Sequence, residues 1–312
     1  MKLKKIVITS LSLLLLVVVG MALDHLCNKQ TRGFRPYLIL SNLPSDPRWE
    51  VPSLSEPEQD EINKKLNQSF TFLGSGGWCY AFLGEDQTTV LKFYRHTHLE
   101  LPTILKEFCL KKLLLISPPW PEGKPYDQEF GFTSCSLLYK EARERTGLLY
   151  VHLNKTQGLH SPVTLIDNIG IKHTIDLDTT EFVVQTKATL TLTHLGQLMK
   201  QGEVERAKSC VKDMLTCVFE ICEKGIRDRD FSFRRNFGYV GDKAVTLDLS
   251  CFMRDPALKT VSDYVRETHH KTKRLEHYLR KYHTELYLYY QDCLDELASR
   301  EKRGQIYEKA QN

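Results

Sequence analysis

The sequence has no Cys-x-x-Cys pair, although it contains nine cysteines. They are scattered, and Cys210, Cys217 and Cys222 fall inside a helical pattern, where small buried thiols are common. This spacing speaks against both a disulfide framework and a zinc site. A strong charge of one sign is also missing: 43 Lys and Arg against 39 Asp and Glu leave a formal charge of +4. No basic stripe interleaved with aromatics occurs, so no nucleic-acid partner is expected. Composition is ordinary for a globular protein, at 41% hydrophobic and 26% charged. A chain of 312 residues is long enough to bury a core as one large or two small domains.

What stands out first is an uncharged run, Ile6 to Leu23, preceded by Lys2, Lys4 and Lys5. As a helix rising 1.5 Å per residue it would span about 27 Å, close to a bilayer's hydrocarbon core. A single-pass membrane anchor and a cleaved signal sequence with Gly20-Met21-Ala22 at its end both fit, and the length of the run favours the anchor. Lys29, Arg32 and Arg35 follow it and balance the lysines before it, so the positive-inside rule sets no orientation. Residues 24–60, with Pro36, Pro44, Pro47, Pro52 and Pro57, read as a linker ending in a short helix that runs to about Asn67.

Three strands are predicted next: Ser69–Leu73, Trp78–Leu83 and Thr89–Tyr94. Gly74, Ser75, Gly76 and Gly77 form the first turn. Glycines there let the backbone approach an anion, with successive amides pointing at it; a plain hairpin turn is the competing reading. Lys92 interrupts an apolar strand, either facing outward or reaching beneath that turn towards phosphates. A helix follows from Pro102 through Leu115, with Glu107 on its polar side as a solvated residue or as the partner of Lys92. Pro118-Pro-Trp-Pro121 breaks the chain. Beyond it a helix near Ser134–Arg145 is expected, then strands near Leu148–Leu153, Val163–Asp167, Ile169–Asp176 and Glu181–Gln185.

Glu203 to Lys224 carries apolar residues at helical spacing, and Gly225 stands where a C-terminal cap is expected. Gly225–Asn236 then places Asp228, Asp230 and Asn236 before a predicted hairpin, Phe237–Val240 and Ala244–Leu249, with Asp248 at its end. Asp230, Asp248 and the Asn236 amide so placed can hold a divalent cation and activate a hydroxyl; alternatively Asp228, Asp230 and Asn236 cap a turn, as Asp and Asn do readily. From Lys259 the chain is helical again. Leu275, Leu279, Tyr282, Leu286, Tyr289, Cys293 and Leu297 form a stripe that reads as the packed side of a core helix.

Taken in order, these pieces resemble the protein-kinase-like superfamily over residues 68–250. The resemblance makes Gly74–Gly77 the phosphate loop, with Cys79 at its usual third glycine. It makes Lys92 the phosphate-binding lysine, Glu107 its partner and Gln185–Ala188 the hinge. Asp230 takes the base position, and Asn236 and Asp248 the metal-binding ones. The implied fold is α+β and two-lobed, behind an N-terminal transmembrane helix: an antiparallel N-lobe sheet plus one helix over 61–188, with an insertion near 118–160, and a mainly helical C-lobe over 189–312. The implied cofactors are ATP and Mg2+, and the implied acceptor is a hydroxyl of a protein or small molecule. Several features depart from the family. Asn236 lies six residues after Asp230, one more than usual; Asp228 replaces a histidine; Asp248-Leu249-Ser250 replaces Asp-Phe-Gly; and no Ala-Pro-Glu segment follows. A pseudokinase that binds a nucleotide or partner without turnover, and an unrelated α+β interaction module, therefore stay open.

Overall fold

The structure, a computed structural model, describes residues 2–41, 43–96, 128–230 and 232–311, with the side chains of residues 2–10, 13, 128 and 301–311 outside the description. Glu107, its helix and the Pro118–Pro121 break lie outside the described residues.

The architecture is mixed α+β. Its centre is a seven-stranded sheet in the order β4-β7-β3-β2-β1-β5-β6. The strands are β1 (Ser69–Ser75), β2 (Cys79–Gly84), β3 (Thr89–Tyr94), β4 (Leu148–His152), β5 (Val163–Ile166), β6 (Lys172–Ile175) and β7 (Phe182–Thr186). All neighbouring pairs are antiparallel except β1 with β5. β2 alternates in burial, as a strand with one apolar face does, and it sends Tyr80 and Phe82 into the core. β3 lies between β2 and β7 and is buried along its length apart from Lys92.

The sheet has an apolar cluster on each face. One joins Tyr80, Phe82, Leu91, Phe93 and Phe182 to Ile62 and Leu66 of helix α2 (Glu56–Leu66). The other joins Tyr94, Val151 and Val183 to helix α3 (Gln128–Glu141) and runs on into the helical half. The predicted linker belongs to these cores. Phe34 meets Phe82 edge-on at 5.0 Å between ring centroids, and Trp49 meets Phe132 at 4.9 Å. Its prolines start two tight 3-10 turns, Pro36–Ile39 and Pro47–Trp49. Proline punctuation therefore marks rigid turns here, rather than the loose tether expected from the sequence.

Helix α1 (Lys2–Gln30) precedes this packed segment and contains the apolar run. It ends where Arg32 and Gly33 adopt φ of 52° and 80°, and the Gly33 amide closes onto the Asn28 carbonyl. Among the described residues no helix is long and apolar enough to cross a membrane. The side chains of residues 6–10 and 13 in the apolar run lie outside that description.

The helical half contains α4 (Thr191–Lys200), α5 (Val204–Glu223), α7 (Val261–Tyr282) and α8 (Thr284–Gln311), with one short helical turn, α6 (Phe233–Asn236), between α5 and α7. The stripe read along α5 is buried as expected, from Ala207 through Cys222. Gly225 stops α5 at φ 71°. The long terminal stripe, by contrast, is split between two helices. The chain turns at His283, Tyr282 points outward at 59% exposure, and in α8 Tyr290 rather than the predicted Tyr289 is fully buried. Two small sheets complete this half. Strand β8 (Thr189–Leu190) pairs with β10 (Phe237–Val240), which pairs with β11 (Lys243–Thr246); β9 (Ile226–Asp228) pairs with β12 (Phe252–Arg254).

Candidate functional site

Three pieces of backbone carry the candidate residues of the second half. β9 ends at Asp228, α6 ends at Asn236, and the chain leaves β11 through Leu247 to Asp248. The pairing of β9 with β12 holds the first and last of these together, because Asp228 sits opposite Phe252.

Within this frame Asn236 donates from Nδ2 to Asp230 Oδ2 at 2.6 Å. The other Asp230 oxygen accepts the Ser232 amide at 2.9 Å. Both carboxylate oxygens of Asp230 therefore have donors, and it stays partly exposed. The Asn236 main-chain oxygen accepts the Leu247 amide at 2.7 Å, which sets Asp248 beside it in the chain. Asp248 Oδ1 accepts the Ser250 amide at 3.0 Å in an Asx turn. So the Asp230 and Asp248 carboxylates do cap turns, the Asn236 amide bonds the first of them, and the Asn236–Leu247 backbone bond brings the second alongside.

Lys92 of β3 comes from the far side of the sequence, and its ammonium donates to the Leu247 carbonyl at 2.7 Å. The thiol of Cys79, the first residue of β2, senses both ends of this arrangement. Burial pushes it up to about 11, the Lys92 charge pulls it down and the Asp248 charge pushes it up. The strand leaving the glycine turn, the lysine and the Asp248 segment thus converge.

The glycine turn itself is tight, with the Gly76 amide donating to the Cys79 carbonyl at 2.8 Å. Gly74 and Ser75 end β1, and Gly76 and Gly77 form the turn. A β-carbon added at Gly74 would meet nothing within 4 Å, and one at Gly76 only the Cys79 oxygen at 3.8 Å. Internal crowding therefore does not demand glycine at either position. Ser75 Oγ donates to the Arg32 carbonyl at 3.1 Å, and the buried Tyr80 hydroxyl donates to the Gly33 carbonyl at 2.6 Å. Together they tie the turn to the end of α1.

Two supporting residues carry no motif and were not read from the sequence. Lys271 of α7 is buried and donates to the main-chain oxygen of Asp228 at 2.9 Å, to that of Asp230, and to the Asp228 carboxylate at 3.1 Å. Burial pushes the Asp228 carboxyl up to about 6, against the pull of the Lys271 charge. Ser134 of α3 accepts the Phe252 amide at 2.7 Å and donates to the Leu249 carbonyl at 2.6 Å. It fastens the segment after Asp248 to the helix that packs against β3 residue Tyr94.

Of the predicted residues, Lys92, Asp230, Asn236 and Asp248 are brought to one region; Glu107 lies outside the described residues. The described partner of Lys92 is a carbonyl oxygen. In the expected hinge, Gln185 Nε2 donates to the Thr246 carbonyl at 3.3 Å, joining β7 to β11. A concavity of about 390 Å3 beside Thr186 of the expected hinge, lined also by Arg143, Gly147 and Lys243, includes none of Lys92, Asp230, Asn236 and Asp248. The donors at the site are hard oxygens, one Asp248 carboxylate and the Asn236 Oδ1 opposite its engaged amide, and this set suits Mg2+.

No protein-family model and no curated protein matches the chain. Among solved structures, the bifunctional kinase-methyltransferase WbdD is similar, with a TM-score of 0.30 at 12% identity over 71% of this chain and 42% of that one. A second WbdD structure gives 0.29 and 14% over 71% and 43%. This chain therefore spans under half the length of either.

Proposed function

We propose that this protein is a kinase-like phosphotransferase, dependent on ATP and Mg2+, acting on a hydroxyl of a protein or small molecule, with residues 6–23 as its membrane anchor. The observation that carries the reading is the hydrogen bond from Lys92 to Leu247, across 155 positions. It joins the strand after a glycine turn to the residue before a candidate metal-binding aspartate. Phosphoryl transfer needs charge neutralisation and positioning more than covalent chemistry. Lys92, on the third strand of the chain, would take phosphate oxygens, with the turn amides above it. Asn236 and Asp248 would hold magnesium, which would neutralise phosphate charge. Asp230, oriented by Asn236 and Ser232, would accept the hydroxyl proton. The α+β architecture and the helical second half fit a two-lobed kinase-like arrangement. The anchor rests on the uncharged run and on the exposure of Leu11, Leu15 and Leu16 of α1.

A pseudokinase is the second reading. It is favoured by one observation: the Lys92 ammonium already donates to a main-chain carbonyl, a contact it would have to share or give up to take a phosphate oxygen. MgATP binding to the full chain in detergent, followed by a turnover assay, separates the two. Binding with phosphate release that Asp230→Ala removes supports the transferase. Magnesium-dependent binding that Asp248→Ala abolishes, with no transfer, supports the pseudokinase. Absence of nucleotide binding overturns both.

A further inference from the structure

The cysteine spacing offers no zinc motif, yet the fold assembles a mixed ligand set at the back of the helical half. We propose that His194, Cys210 and Asp242 form a Zn2+ site, independent of the phosphotransferase reading. They come from α4, from α5 and from the turn between β10 and β11. His194 Nε2 lies 3.1 Å from Asp242 Oδ1 and 3.7 Å from Cys210 Sγ, and all three ligand atoms lie within 4.8 Å of one another.

The two distances from His194 Nε2 suit a shared ion. Tetrahedral zinc with bonds of about 2.0–2.1 Å to nitrogen and about 2.3 Å to sulfur sets nitrogen–sulfur edges near 3.5 Å and nitrogen–oxygen edges near 3.3 Å. The donor set of thiolate, imidazole and carboxylate is one that zinc accepts. Without an ion the thiol donates to the Asp242 main-chain oxygen at 3.9 Å, and the single ring nitrogen Nε2 faces both the carboxylate and the thiol, where in neutral imidazole it can donate to one or accept from the other. An ion at the common centre serves all three.

The surroundings hold the ligands in place. The His194 ring packs on Tyr239 at 4.8 Å between centroids, and the Tyr239 hydroxyl donates to the Cys210 carbonyl at 2.7 Å. Arg206 donates to both Asp242 oxygens, from Nε to Oδ2 at 2.6 Å and from Nη2 to Oδ1 at 3.0 Å, the kind of outer partner that orients a ligating carboxylate. Cys210 is fully buried while the Asp242 side chain is 41% exposed. The thiolate would form the floor of the site, and water from the Asp242 side would complete four ligands. Such an ion would clamp the hairpin tip to α4 and α5.

The test is a Co2+ titration of the untagged, chelator-stripped full chain, read by the sulfur-to-cobalt charge-transfer band, followed by Zn2+ displacement. One equivalent of metal should bind, the band should vanish in Cys210→Ala, and His194→Ala and Asp242→Asn should each weaken binding at least tenfold with unchanged circular dichroism. An ordinary surface ion pair beside a buried thiol would give folded wild-type protein that takes up no metal. That result overturns the site, as does a charge-transfer band retained by Cys210→Ala. If Cys210→Ala fails to fold, Asp242→Asn decides alone, because undiminished binding there also overturns it.

Discussion

The Lys92 ammonium lies 2.7 Å from the carbonyl oxygen of Leu247, and the amide of that same residue donates to Asn236. One residue thus receives a cation from the sheet and pairs with the end of α6, immediately before Asp248. Replacing Lys92 by Met removes the charge and keeps most of the side-chain volume. Losing this charge-assisted hydrogen bond should cost about 1.5–3 kcal/mol in stability. Loss of the phosphate-directed cation should weaken MgATP binding at least tenfold, or about 1.4 kcal/mol. Calorimetric titration and urea unfolding measure the two effects separately. A stability loss with unchanged nucleotide affinity would make Lys92 a structural tie only.

Asp248→Asn tests the metal assignment with little change of shape. The Ser250 amide needs an oxygen at the Oδ1 position, which asparagine keeps, so unfolding midpoints should stay close to wild type. The carboxylate charge, in contrast, is what a magnesium ion requires. Wild-type ATP affinity should rise with Mg2+, and that dependence should disappear in the variant. Equal magnesium dependence in both proteins would remove Asp248 from the metal site.

Asp228 makes a pH prediction with a definite sign. Its carboxyl is pushed from 3.8 up to about 6 in the fold, chiefly by burial. Between those values the folded state keeps a proton that the unfolded state has released. Stability from this group is therefore full below about pH 4 and falls as pH rises through about 6, by a total of about 3 kcal/mol. Asp228→Asn does not titrate. The stability of wild type relative to this variant should decline from pH 4 to 7 in urea-unfolding series, and a flat or rising difference would contradict the assignment. Removing the partner, as in Lys271→Met, leaves the carboxyl buried without its cation and should cost about 3–5 kcal/mol.

The parts legible in the sequence were those written in local periodicity. The α5 stripe, the strands around Lys92 and the hairpin before Asp248 all carry the spacing of the element they form. The pairing of β9 with β12 could not be read, because each strand has only three residues, Ile226–Asp228 and Phe252–Arg254, too few for a pattern. α4 begins Thr191-Leu-Thr-His, and its β-branched residues hide a helix start. The turn at His283 has neither proline nor glycine to mark it. Lys271 has no motif around it; only tertiary packing makes it the anchor of the Asp230 loop. Proline density pointed to a linker over 24–60, whereas Phe34 and Trp49 put that segment in the core.

Gly238 of β10 and Gly74 of the candidate phosphate loop separate packing from function. At Gly238 a β-carbon would lie 2.6 Å from the Thr189 main-chain oxygen, where β10 meets β8. Backbone cannot yield there as a flexible side chain can, so Gly238→Ala should destabilise by about 1–3 kcal/mol, in the range of overpacked cores. At Gly74 the same carbon meets nothing, and its φ is not in the left-handed region. Gly74→Ala should therefore unfold at the wild-type urea concentration or slightly above it. If the turn closes over phosphates, the added methyl narrows the approach that glycine allows, and MgATP affinity should fall several-fold in the same protein. Thermal and urea midpoints together with nucleotide titration distinguish the cases. Gly74→Ala with unchanged stability and unchanged affinity would mean that the turn is a hairpin connection and contributes nothing to nucleotide binding.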